Sequence, residues 1–289
     1  MRLLVHFHIY YQDQIPYFLD RIANINGCEW DLIVTYSSLD ACSADRIKAF
    51  REDAVFKQVE NFGYDIWPFI SVVKSVDISA YDLIMKLHSK SQCAEGQRLN
   101  GLRLRGYQWR DVLVDSLLGS PEIFKKNIAR FEDDGELGLL CAREVMRHLS
   151  SGSPEDLEMF ERECARLGIN SEDRRFCAGT MFLARTEPYL FLKSDNVSST
   201  LFEGSAKSHA FGTMSHVYER ILTMAVTAYG LKLGTVPYKR SSAFFAGVHS
   251  VVSPVLGNIL SIARFGSERI KCLVVFGVRI PLETTSKRL

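Results

Sequence analysis

The sequence predicts an α/β fold built on a mainly parallel sheet with helices on both faces. Strand and helix signals alternate through the first 90 residues, each strand–helix unit takes roughly 25–30 residues, and the strands are apolar enough to be covered on both sides. A third observation fits that layout, because polar and aromatic residues gather just after each predicted strand, where open parallel sheets bind ligands.

Leu3 to Ile9 reads as the first strand, and Gln14 to Ile25 carries Ile15, Phe18, Leu19, Ile22 and Ile25 at helical spacing. Asp31 to Tyr36 is a second strand closed by Ser37-Ser38, followed by a helix over Ser43 to Glu52. Val55 to Val59 is a third strand ending at Asn61-Phe62-Gly63, and a helix is expected after Pro68, where Phe69, Val72, Val73 and Val76 share one face. Tyr81 to Leu87 is the fourth strand. Helices are predicted over Gly106 to Leu118 and from Ser120-Pro121-Glu122, which supplies an N-cap, a first-position proline and a first-turn acid. Asp134-Gly135 closes that helix and Leu137 to Cys141 reads as a buried strand. Ser153-Pro154-Glu155-Asp156 opens a helix through Leu167, Phe176 to Ala184 reads as one strand with an internal glycine, and Thr213 to Ala228 as the last long core helix.

The chain has 289 residues, 47% hydrophobic and 24% charged, with 35 Lys plus Arg against 34 Asp plus Glu. A net charge of +1 gives no global attraction to polyanions, so no nucleic-acid partner is expected. Seven scattered cysteines without a Cys-x-x-Cys pair suggest reduced thiols rather than disulfides or zinc. No run reaches membrane-spanning length, and Met1-Arg2 leads straight into the first strand rather than a signal peptide, so a cytoplasmic location is expected. On that location the Asn196-Val197-Ser198 sequon is irrelevant. Two domains are expected: 1–249, with a Rossmann-like nucleotide-binding half at 1–92 and a more helical half at 93–249, and a basic, apolar tail at 250–289. That tail carries six Lys or Arg against two Glu. It reads either as a basic amphipathic segment on anionic lipid, placing the protein on the inner membrane face, or as a terminal helix and strand packed on the core.

Four clusters follow the strands: His8-Ile9-Tyr10-Tyr11, Tyr36-Ser37-Ser38, Asn61-Phe62-Gly63-Tyr64-Asp65 and His88-Ser89-Lys90. Rings, hydroxyls, a carboxylate and an ammonium are what a nucleotide needs for stacking, for base and ribose contacts, and for phosphate. The Rossmann-like outline lacks Gly-x-Gly-x-x-Gly after its first strand, which argues against a dinucleotide oxidoreductase.

Five pieces in order carry a resemblance. They are Asn61-Phe62-Gly63-Tyr64-Asp65-Ile66-Trp67-Pro68-Phe69, then Lys86-Leu87-His88-Ser89-Lys90, then Trp109-Arg110 with Leu117-Leu118-Gly119, then Gly179-Thr180-Met181-Phe182, and last Gly212-Thr213 with His216 and Glu219-Arg220. Over roughly residues 1 to 240 the chain resembles the rhamnan synthesis protein F family. Tyr64 stands where that family has Arg, Ser91 where it has Lys, Leu183 where it has Trp, and Phe211 where it has Asp. The resemblance implies a GT-A-like glycosyltransferase, or a domain associated with one, in bacterial cell-surface polysaccharide synthesis, with rhamnose transfer as the named role. Its partners would be a nucleotide diphosphate sugar donor and a glycan or lipid-linked glycan acceptor.

In GT-A folds the strand leading into the donor site commonly ends Asp-x-Asp and holds a divalent cation, whereas the equivalent place here reads His88-Ser89-Lys90. An ammonium can neutralise a diphosphate leaving group directly, so metal-independent, inverting transfer is expected, with no required cofactor and no metal ligands. Asp133-Asp134, the rival metal site, looks like a solvated helix end. Glu219 is the expected general base, oriented by His216, with Glu144 as second choice. Donor binding is expected from His8, Tyr10, Tyr36, Asn61, Gly63, Asp65, His88, Lys90 and Arg110, and acceptor binding from Trp109, Gly179 and Thr180. Trp109 as core packing, Glu219–Arg220 as a structural ion pair and Lys90 as a solvated loop residue remain open. So do a non-catalytic carbohydrate- or nucleotide-binding module and a retaining transferase that uses manganese or magnesium.

Overall fold

The computed structural model describes residues 1–93, 98–99, 102–149, 154–203 and 213–238, together with strand backbone at 260–265, 270–275 and 278–281. The first half runs β1 (Arg2–Ile9), α1 (Ile15–Ile22), β2 (Glu29–Tyr36), α2 (Ala41–Phe50), β3 (Val55–Gln58), α3 (Ile66–Ser75) and β4 (Leu83–His88). Short strands β5 (Arg98–Leu99) and β6 (Leu102–Arg103) follow, then α4 (Gln108–Leu118), α5 (Pro121–Asp133), β7 (Leu137–Ala142) and β8 (Met146–His148). Next come α6 (Pro154–Leu167), β9 (Arg175–Cys177), β10 (Phe182–Arg185), α7 (Met214–Ala228) and β11 (Lys232–Val236). Three further strands are β12 (Leu260–Phe265), β13 (Ile270–Val275) and β14 (Val278–Pro281).

Seven strands form one sheet in the order β11-β7-β10-β4-β1-β2-β3. Every neighbouring pair is parallel except those made by β10, which runs antiparallel to both β4 and β7. Central strands β1 and β4 are buried almost end to end, as a sheet covered on both faces requires. The covering helices behave as their sequences dictate. In α1 the buried residues are Ile15, Phe18, Leu19 and Ile22, one stripe at helical spacing. α2 is capped by Asp40, whose carboxylate accepts the Ser43 N–H at 2.7 Å, and α5 by Ser120, with Pro121 as its first residue.

Four features differ from the sequence reading. α3 begins at Ile66, before Pro68, because a proline in the first helical turn loses no hydrogen bond. The single strand expected over Phe176 to Ala184 is two strands broken by a turn, with Gly179 at φ +84° and Thr180 at φ +44°. β9 pairs with β8, whereas β10 enters the main sheet. β11, which carries little apolar signal, extends the sheet beside β7. In the tail, residues 260–265 are a strand rather than part of an amphipathic segment, while 250–259 lie outside the described residues.

Contacts group Met1–Leu99 with Leu104–Tyr238 in one compact unit, which holds the seven-stranded sheet. Asn100–Arg103 and Lys239–Leu289 make a second, in which β12, β13 and β14 form an antiparallel meander. The expected boundary at 249 therefore falls inside the second unit. No helix among the described residues is long and apolar enough to cross a membrane.

Gly138 in β7 lets α7 and its following turn lie close on the sheet. A Cβ there would sit 2.4 Å from Val226 Cγ1 and 2.6 Å from Leu231 Cβ. Gly138→Ala is expected to lower stability by about 1–3 kcal/mol through overpacking, read as a lower urea midpoint with an unchanged m-value.

Candidate functional site

In a parallel sheet all strand carboxyl ends face one edge, and there the loops after β1, β2, β3 and β4 enclose a cavity of about 360 Å³. His8, Tyr10, Asn61, Asp65, His88 and Lys90, which the sequence reading offered for donor binding, line it together with Tyr11, Ser37, Glu60, Phe62, Tyr64, Ser89 and Ser91. Tyr10, Tyr11 and Tyr64 are among the large apolar side chains left exposed, and all three stand on this rim. The loops are tied together from below. Ser89 Oγ accepts the N–H groups of Tyr10 and Tyr11 at 2.8 and 2.9 Å. The buried Gln14 amide donates to the Lys90 carbonyl at 2.7 Å and accepts the Lys90 N–H at 3.2 Å. The Lys90 ammonium lies over the Trp109 indole, 4.5 Å from its centroid, a cation–π contact.

Beneath the cavity lies a grid of titratable groups. Strand period two puts His6 and His8 on one face of β1 and Lys86 and His88 on the same face of β4, with His6 opposite Lys86 and His8 opposite His88. The Thr35 hydroxyl sits between His6 Nε2 at 2.8 Å and His8 Nδ1 at 3.0 Å. His88 Nε2–H donates to the Gly179 carbonyl at 2.8 Å. Burial pushes the imidazoles down, His8 to about 4 and His88 to about 3, with Asp65 pulling back and Lys86 adding to the depression; burial and Lys86 also hold His6 well below its ordinary value. All three rings are neutral at physiological pH.

Lys86, fully buried, donates to Asp65 Oδ2, to the Thr180 carbonyl at 3.1 Å and to Thr180 Oγ1 at 2.9 Å. Thr180 Oγ1–H also donates to Asp65 Oδ2. Burial opposes ionisation of Asp65, yet the pull of His88 and Lys86 and the hydrogen bonds from Lys86 and Thr180 outweigh it and hold the carboxyl well below the usual carboxylate range. Burial likewise lowers the Lys86 ammonium, partly offset by Asp65. Asp65, expected to bind donor, has one of its oxygens engaged inside the protein. Although it stands at the N-cap of α3, its side chain makes no capping bond.

The remaining expected residues divide. Gly179 N–H donates to Glu219 Oε1 at 2.6 Å, so the expected base grips the turn expected to meet acceptor. His216 Nδ1 is 2.9 Å from Thr213 Oγ1, and its ring centroid is 6.2 Å from that of Tyr64. Trp109 packs on Gly179, where a Cβ would come 3.3 Å from its indole nitrogen, and that Nε1 is buried without a hydrogen-bond partner. Gly63 is buried at φ +71°, and a Cβ on it would come 2.7 Å from Trp67 Cβ, so it shapes the loop, and it is not among the residues lining the cavity.

Arg110 and Tyr36 do not line the cavity. Arg110 lies 3.5 Å from the Tyr17 centroid and 4.4 Å from that of Tyr107 and pairs with Asp111. Tyr36 stands edge-on to Phe56. Glu144 is buried just after β7, where both its oxygens lie 3.3 Å from the Tyr238 amide nitrogen that donates to them. Asp133 and Asp134 stand just before β7, at the opposite edge of the sheet, and Asp134 accepts the Glu136 N–H. Among the described residues no three His, Cys, Asp or Glu side chains are grouped to hold a metal ion. Gly212, quoted with the acceptor motif, lies outside the described residues.

Sequence reasoning missed Lys86, Thr35, Gln14 and Glu60. Lys86 had a signal, since a charged residue at the centre of an otherwise apolar strand must be paired.

Because burial lowers the folded His8 and His88 imidazoles to about 4 and about 3, against about 6.5 for an unfolded histidine, the unfolded chain binds more protons at these two sites between those values, and their contribution to stability is expected to fall as pH drops through that window. From pH 7 to pH 5 the loss is expected to be about 1–2 kcal/mol from each of His8 and His88, read from urea midpoints, and His8→Gln should flatten the slope.

A family model described as rhamnan synthesis protein F matches residues 1–230. Uncharacterized protein WxcX from two strains of Xanthomonas campestris pv. campestris is 26% identical over 234 residues, which is 79% of this chain and 32% of that protein. The chain thus spans about a third of the length of these curated relatives. The crystal structure of S. aureus TarS 1–349 aligns with 15% identity and a TM-score of 0.41, over 83% of this chain and 59% of that one.

Proposed function

The chain belongs to the rhamnan synthesis protein F family, and from that membership we propose that it is a GT-A-like glycosyltransferase domain of surface-polysaccharide synthesis. It moves a sugar, rhamnose first among the candidates, from a nucleoside diphosphate to a glycan or lipid-linked glycan at the cytoplasmic face of the membrane. The observation that carries this reading is the carboxyl-edge cavity, with tyrosines on its rim and the Lys90 ammonium beside it. The rings of Tyr10 and Tyr11 offer stacking faces for a base. Lys90 meets the diphosphate, while neutral His8 and His88 offer hydrogen bonds without fixed charge.

Transfer proceeds by direct inverting displacement. The acceptor hydroxyl oxygen bonds to the anomeric carbon, the bond from that carbon to the diphosphate oxygen breaks, and the hydroxyl proton passes to a base. Glu219 takes that proton through Oε2, since Oε1 holds the Gly179 N–H, and His216 stands on the same helical turn. Charge developing on the diphosphate is met by Lys90 without a metal ion.

A non-catalytic nucleotide- or carbohydrate-binding module is the second reading, favoured by the engagement of Asp65 and Glu219 within the protein and by the share of the relatives' length that this chain spans.

Thermal shift with uridine and thymidine diphosphates, with and without manganese or magnesium, tests the site. A bound nucleotide at about a hundred times its Kd is expected to stabilise the fold by about 2.7 kcal/mol, independent of metal. Lys90→Ala is expected to weaken binding about tenfold or more, roughly 1.4 kcal/mol. Glu219→Gln should keep nucleotide binding and lower transfer by about 10²–10⁴-fold. No shift with any nucleotide would sink the donor-site reading. A shift that needs metal would replace Lys90 by a carboxylate site, and binding without transfer would favour the module.

A further inference from the structure

We propose that Lys86 is a positioning residue, the pin of a clasp that transmits filling of the cavity to the Gly179–Thr180 turn. The proposal rests on the donor-site reading for its functional consequence and on the geometry alone for the clasp.

The cavity is lined by the Asn61–Asp65 loop but by neither Gly179 nor Thr180. The two segments are 115 residues apart at Asp65 and Thr180 and meet on one ammonium. An ammonium has three protons, and Lys86 has three acceptors within reach: Asp65 Oδ2, the Thr180 carbonyl and Thr180 Oγ1. None is left over for a phosphate, so Lys86 acts through the groups it holds and touches no substrate.

Both segments hold conformations that L side chains disfavour. Tyr64, beside Asp65, has φ +51° and Thr180 has φ +44°; among the described residues these are the non-glycine positions with positive φ. Such backbones persist only where the surroundings over-determine them. On one side Asp65 is held on Lys86, beside the ring contact of Tyr64 with His216. On the other, Thr180 bonds Lys86 twice, His88 holds the Gly179 carbonyl and Glu219 the Gly179 N–H. A charge is not needed merely to fill this space, since a buried ion pair is commonly replaced by apolar groups of like volume without loss of stability. What the charge adds is that the two turns hold their shapes together.

Amide hydrogen exchange on the wild type, Lys86→Met and Lys86→Met/Asp65→Asn tests this, the double variant removing the unpaired carboxylate that destabilises the single one. Exchange at residues 62–66 and 178–181 is expected to accelerate about tenfold or more in both variants, while β1 and β4 amides keep wild-type rates in the double variant and its thermal midpoint recovers. In the wild type, saturating uridine diphosphate should slow exchange at 178–181. Lys86→Met should still bind the nucleotide, shown by calorimetry, without that slowing. Acceleration confined to one turn overturns the clasp. So does recovery of both turns in the double variant, or equal nucleotide protection with and without Lys86. A wild type that binds no nucleotide overturns the donor-site reading instead, and the exchange rates without ligand then judge the clasp alone.

Discussion

An ammonium in the middle of a sheet buried on both faces obliges the rest of the chain to answer it. Leaving Lys86 unpaired would cost several kcal/mol, so acceptors must reach it from outside the sheet. β4 supplies none, and its neighbours β1 and β10 present His6 and Phe182 opposite Lys86. The acceptors come from the loop before α3 and the turn before β10, and both bend into left-handed backbone to deliver them. The shape of the carboxyl edge follows from that demand, and Lys86 adds to the burial that keeps the histidines around it neutral.

The reversed direction of β10 is part of the same solution. A parallel strand in that slot would begin at the amino edge of the sheet, far from the cavity. Because β10 runs antiparallel between β4 and β7, its start lies beside the end of β4, and the turn that leads into it meets His88 and Lys86. The same turn then lies under α7, where Glu219 holds it from behind. One exception in an otherwise parallel sheet thus brings residues from the far half of the chain to the edge where the first four strands end.

Much of this was legible in the sequence. Periodicity located β1 to β4 and the helices between them, and four clusters after strands marked the cavity's edge. Motif order pointed to the family that the comparison then showed. What escaped depends on contacts between distant segments. Nothing in the local pattern around Asp65 or Glu219 says that each is engaged within the protein, by Lys86 and Gly179 respectively, since those partners lie far off in sequence. Arg110 sits next to Trp109, and only the course of α4 separates the residue under Lys90 from the one caged by Tyr17 and Tyr107. The break at Gly179-Thr180 was missed because apolar residues on both sides continue a strand pattern across it. β11 was missed for the opposite reason, since it joins the sheet by position more than by composition.

The Ser89 hydroxyl, which accepts two successive N–H groups from the loop after β1, has a consequence for how such a site can vary. Together with the Gln14 amide it laces the segment from Tyr10 to Gln14 onto the segment from Ser89 to Lys90 at backbone level. Adding or removing a residue in either segment would shift these partners out of reach and leave buried polar groups unanswered. Diversity on this side of the cavity must therefore arise by exchanging side chains on a frame of constant length, while loops free of such lacing can change length.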